Sequence, residues 1–161
     1  PELGFEITVK PARGQISVFA HHAPLFRHII QTRRVYLVSR DDGRVLVGST
    51  VESAGYEKSV TLKGLYKFSR GVLELNPELS FLEFRDSWAG LRPRAKDGLP
   101  IIGETPVKSL FLATGHFRNG ILLAPLTARY LAELILTGQS SYDLHPFRLE
   151  RFFTPQSDRR T

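Results

Sequence analysis

Polar and apolar residues alternate over residues 6–10 and again over 15–18, a period of two that predicts strands with one covered face. Residues 11–14, opening on Pro11 and closing on Gly14, are expected to turn the chain between them. Two further β-rich runs, 34–38 and 45–49, flank Arg40-Asp41-Asp42-Gly43, a composition that predicts a hairpin. From Thr61 the period lengthens. Leu62, Leu65, Tyr66, Phe68, Val72, Leu73 and Leu75 recur at three- and four-residue steps, which predicts an amphipathic helix ending before Pro77. Gly64 and Gly71 oppose that helix by about 1 kcal/mol each relative to alanine. Residues 84–91 return to strand character and are expected to stop at Pro93.

The last third has a different pattern. Residues 110–113 form a short continuous apolar run, expected to be a strand covered on both faces. A loop bounded by Gly115 and Gly120 follows, then a leucine- and alanine-rich helix over 121–136 closed by Gly138. Strand, glycine-bounded loop and helix make one unit of an α/β nucleotide-binding sheet, and one unit cannot form a sheet alone. Neighbouring strands are therefore expected from a segment outside these 161 residues. The absence of any methionine agrees with a piece cut from a longer chain. The tail after Pro155 is polar and expected to be mobile.

Composition narrows the class only a little. A length of 161 residues suits one well-cored domain. No segment reads as apolar enough to cross a bilayer or as a signal peptide, and cysteine is absent. A cytoplasmic protein without disulfides or thiolate metal sites is the expectation. The net charge of +6 favours anionic partners. Its cations are scattered, however, with only Arg33-Arg34 and Arg159-Arg160 adjacent, so nucleic acid is the weakest partner class.

Three places could carry chemistry. The loop Gly115-His116-Phe117-Arg118-Asn119-Gly120 leads into a helix N-terminus, where unpaired backbone N–H groups and Arg118 would favour an anion. An ordinary strand-to-helix turn with a solvated arginine explains the same residues equally well. Arg92 ends a strand, where its planar fork suits a carboxylate, although a structural ion pair is the commoner use of such an arginine. Tyr36 sits mid-strand between Arg34 and Val38 and reads by spacing alone as a half-buried sheet aromatic. His21, His22, His28, His116 and His145 lack metal-ligand spacing, so no metal is expected. No nucleophile elbow surrounds Ser49, and Asp97 and Glu104 read as solvated turn residues.

Taken in order, three phrases carry a resemblance. They are Gly48-Ser49-Thr50-Val51-Glu52; Trp88-Ala89-Gly90-Leu91-Arg92-Pro93 with Asp97-Gly98-Leu99-Pro100-Ile101-Ile102-Gly103; and residues 115–125. Together they resemble the C-terminal half of the flavin-dependent glycine oxidases of thiamine biosynthesis, in the D-amino-acid oxidase family. The similarity runs from about Val9 to Phe152. It implies an α+β fold: a mixed, mainly antiparallel substrate-binding sheet with helices over 1–104, and a returning strand–helix piece of a Rossmann-like FAD domain over 105–140. A tail over 141–161 follows. The G-x-G-x-x-G segment that cradles the FAD pyrophosphate in such enzymes is absent.

The resemblance also implies roles. Arg92 would clamp the carboxylate of a small amino-acid substrate and Tyr36 would contact the same group. Arg118 would border flavin and substrate. Val51, standing where relatives carry a bulkier methionine, would line the pocket. Gly115, His116, Phe117, Arg118, Asn119, Gly120, Ile121 and Leu122 would lie against the flavin ring. Catalysis would be oxidative deamination with hydride passing to FAD and hydrogen peroxide as by-product, resting on positioning with no obligatory acid–base side chain. A chain holding only this half is expected to be inactive alone and to self-associate through its uncovered apolar face. A sarcosine or other amine oxidoreductase of the same fold is the alternative within the family. A non-catalytic module for small anions or a partner protein is the alternative outside it.

Overall fold

A computed structural model describes residues 3–153. Among them, Ala12–Leu91 form one compact unit, and the segments on either side of it form the other. The expected mobile tail falls outside the described residues.

The Ala12–Leu91 unit is built on a five-stranded sheet in the order β2-β3-β4-β1-β5. Its strands are β1 (Val9–Ala20), β2 (Ile30–Gln31), β3 (Tyr36–Ser39), β4 (Arg44–Gly48) and β5 (Glu83–Ala95). β3 and β4 make the expected antiparallel hairpin, with Gly43 at φ 82° closing its turn. The expected turn at 11–14 is absent, because β1 runs unbroken from Val9 to Ala20. Backbone bonds between Arg13 and Glu52 extend the pairing through that stretch, and this long-range ladder overrides the local turn signal of Pro11 and Gly14. Nor does β5 stop at Pro93; it continues to Ala95.

Helix α1 (Leu62–Leu75) forms where the periodicity placed it, with Thr61 Oγ1 accepting the Gly64 N–H as N-cap. It buries Phe68 and Val72 against Val35, Leu37, Val45 and Val47. Both helical glycines let α1 approach closely: a Cβ on Gly71 would lie 2.7 Å from a Val35 methyl, and one on Gly64 would overlap the Gln15 amide.

In the second unit β6 (Ile101–Glu104) pairs antiparallel with β7 (Phe111–Thr114). β7 has β6 as its only strand neighbour among the described residues; of the faces expected to be covered, Phe111 packs on one side and Leu112 on the other, while Ala113 is exposed. Ala95, Ile101 and Leu149 make one core, and Ile102, Leu134 and Leu144 another. Helix α2 (Gly120–Thr137) follows and ends at Gly138, whose φ of 74° supplies the left-handed C-terminal residue. The stretch Phe117–Thr137 is, by length and composition only, apolar enough to cross a membrane, contrary to the sequence expectation. The reason is that α2 holds just two charges, Arg129 and Glu133, and these pair one turn apart at 3.0 Å.

Candidate functional site

In the second unit, the loop between β7 and α2 is held in a defined shape. Gly115 adopts φ 79°, and a Cβ there would press to 3.1 Å on Ala95 Cβ. Phe117, at φ 52°, takes the left-handed conformation that side chains other than glycine's rarely adopt. His116 fixes the loop to the helix through Nε2 and Thr127 Oγ1 at 3.0 Å, and its backbone carbonyl accepts the Asn119 N–H at 3.0 Å. Burial pushes the His116 pKa down, favouring the neutral ring.

The entry to α2 is open to an anion. Asn119 provides no side-chain cap, and the first turn contains no acidic residue. The first-turn N–H groups and the positive end of the helix dipole are thus left without a side-chain partner. Arg118 is exposed and makes no ion pair among the described residues. Ile121 and Leu122, at 95% and 77% exposure, begin an apolar face that continues through Leu126, Ile135 and Leu136.

Arg92 lies half-buried on β5. Two residues along, and so on the same side of the strand, Arg94 places its guanidinium 5.2 Å from the Phe117 ring centre. Its backbone also bridges to His116. Sequence reading missed Arg94; the alternation Arg92-Pro93-Arg94 was the available signal. Asp97, exposed in its turn as expected, also receives Arg151 Nε at 2.7 Å and Nη2 at 3.2 Å, and the guanidinium holds its carboxyl below the ordinary value.

Tyr36 and Val51 belong to the Ala12–Leu91 unit. Tyr36 pairs in register with Gly48, and its phenol lies across that glycine, where a Cβ would come within 2.6 Å of the Oη. Val51, 46% exposed, sits in a connection fastened at both sides. Arg13 Nε donates to Glu52 at 2.8 Å, and the buried Gln15 donates through Nε2 to Glu52 at 2.8 Å while accepting the Thr61 N–H at 2.8 Å. Burial acts to raise the Glu52 pKa, but bonds from Thr50, Arg13 and Gln15 outweigh it and hold the carboxylate charged. No sequence signal reveals this network, since its partners stand 37 to 46 residues apart.

The model of the FAD dependent oxidoreductase family matches residues 1–134. Glycine oxidase of Pseudomonas putida is 36% identical over 149 residues, covering 92% of this chain and 41% of that protein. The hydrogen cyanide synthase subunit HcnC of Pseudomonas protegens is 36% identical, covering 94% of this chain and 36% of its own length. Among solved structures, glycine oxidase from Geobacillus kaustophilus superposes with a TM-score of 0.85 at 34% identity, over 92% of this chain and 41% of that one. The chain thus spans about two-fifths of the length of the relatives it matches.

Proposed function

The chain belongs to the FAD dependent oxidoreductase family, and we propose that it supplies the substrate-holding part of an amino-acid oxidase of the glycine oxidase type. The observation that carries this reading is the open N-terminus of α2, with Gly115 at φ 79° before it and the unpaired Arg118 beside it. That corner fits the pyrimidine edge of a flavin, which becomes negative on reduction. Gly115 to Leu122 would line the ring, and the positive φ at Gly115 lets backbone approach a flat ligand closely. When bound, FAD would accept the hydride from the substrate carbon.

The chain's own residues would hold the substrate. Arg92 takes its carboxylate in two parallel hydrogen bonds, and Tyr36 adds a third donor. Arg118 keeps the opening positive, and Val51 sets the size of side chain admitted. No side chain of this set needs to move a proton, so the contribution is orientation. In this reading residues 1–104 serve the substrate side and 105–140 the flavin side. The apolar face of Ile121, Leu122, Leu126 and Leu136 packs against the flavin-holding remainder of the family fold, which accounts for a helix so apolar yet so exposed. It also explains why α2 satisfies the length and composition of a membrane span.

An absorbance spectrum, recorded after incubation with FAD and removal of free ligand, tests the reading. The 161-residue chain alone is expected to retain no flavin and to release no hydrogen peroxide from glycine. Oxidase activity from this chain with FAD alone would overturn the division of labour proposed.

A further inference from the structure

Within the Ala12–Leu91 unit a cavity of about 660 Å³ opens between the connection that follows β4 and helix α1. Val51, Ala54 and Tyr66 supply apolar surface to its lining. Arg13, Glu52 and Thr61 also line it, tied together through the buried Gln15, and the Arg13–Glu52 pair leaves no spare charge there. The rest of the lining is strongly one-sided in charge. Lys63, Lys67 and Arg70 follow one another at four- and three-residue steps, which sets all three on one face of α1, and Arg34 faces them from the sheet side.

These cations are poorly compensated. Arg34 and Arg70 share the single carboxylate of Glu74, at 2.7 Å each. Lys67 donates to the neutral Ser49 carbonyl at 3.2 Å, and Lys63 makes no ion pair among the described residues. Like charges four residues apart destabilise a helix, and Lys63 stands in the first turn, against the positive end of the helix dipole. A concave wall of one sign concentrates potential and draws in counter-ions. We propose that this cavity is a binding site for a compact dianion, carrying either two carboxylates or one phosphate group. Lys63 and Lys67 hold the charge, and Tyr66 covers the apolar body. The proposal stands on this unit alone and does not depend on the flavin reading.

Calorimetric titration of the 161-residue chain at fixed ionic strength tests it, with succinate, inorganic phosphate and acetate as probes. Succinate or phosphate is expected to bind at least about tenfold more tightly than acetate, as two charge-assisted contacts require over one. The order of the two dianions identifies which source of charge the site takes. The double variant Lys63→Gln/Lys67→Gln is expected to lose that preference, while Lys108→Gln, an exposed cation outside the cavity lining, is expected to keep it. Amide shifts in the unmutated chain should centre on residues 50–54 and 61–70, which guards against a misfolded variant. Equal affinity for all three anions overturns the proposal, as does binding that survives the double variant or shifts centred elsewhere. Oxidase activity from the chain with FAD alone, which would overturn the flavin reading, leaves this result untouched, and loss of dianion binding leaves the flavin reading untouched.

Discussion

Substituting Gly64 by alanine sets two physical effects against each other. Helix propensity alone says the change stabilises α1, by up to about 1 kcal/mol. Packing says the opposite. The added Cβ would lie 2.8 Å from the Gln15 Cδ, nearer still to Oε1, and 3.1 Å from Nε2. Gln15 is fully buried and cannot swing into solvent. Its amide accepts the Thr61 N–H and donates to Glu52 and to Thr61 Oγ1, so displacing it strands buried polar groups at the helix N-cap. Each group left unsatisfied costs about 1–3 kcal/mol, and the net expectation is a loss of about 2 kcal/mol. The single tryptophan, Trp88, lies in the same unit, so its fluorescence in a urea titration reports the relevant transition. A slope of about 1–2 kcal/mol per molar urea places the fall in midpoint at about 1–2 M. In a Gln15→Ala background the clash is gone, and Gly64→Ala is expected to raise the midpoint instead. An unchanged or higher midpoint in the otherwise native chain would refute the reasoning.

Two further outcomes follow from the second unit. Gly115→Ala forces a side chain into φ 79° and against Ala95, and should lower thermal stability by about 1–2 kcal/mol in a calorimetric scan; an unchanged scan would show that the loop relaxes freely. The Glu133 carboxyl is lowered to about 2 by the Ser141 hydroxyl and N–H, at 2.6 and 3.0 Å, and by Arg129. Because the folded value lies below the ordinary 4.5, its contribution is complete above that pH and is lost as pH falls toward about 2. Ser141→Ala should therefore move the Glu133 midpoint upward in an NMR titration; a midpoint that stays put removes Ser141 as the cause.

Much of the fold was legible in the residue pattern, and its physical reason is locality. The three- and four-residue recurrence from Leu62 to Leu75, stopped at Pro77, needs no distant partner to specify a helix, and α1 occupies that span. Asp41-Asp42-Gly43 between two β-rich runs fixes a turn for the same reason. The phrases around Arg92 and Arg118 pointed to the family whose model matches residues 1–134.

What the tertiary structure decided was pairing over distance. β1 passes straight through Pro11 and Gly14 because Glu52, nearly forty residues on, bonds the Arg13 backbone and side chain. The ion pair of the exposed turn residue Asp97 was not readable locally, because its partner Arg151 lies 54 residues on. The cationic face of Lys63, Lys67 and Arg70 was readable as a spacing, yet it becomes a cavity wall only when Gly64 lets α1 settle against Gln15. A sequence records which residues share a face. Where that face comes to rest depends on contacts whose free energy is gained only when the chain closes on itself.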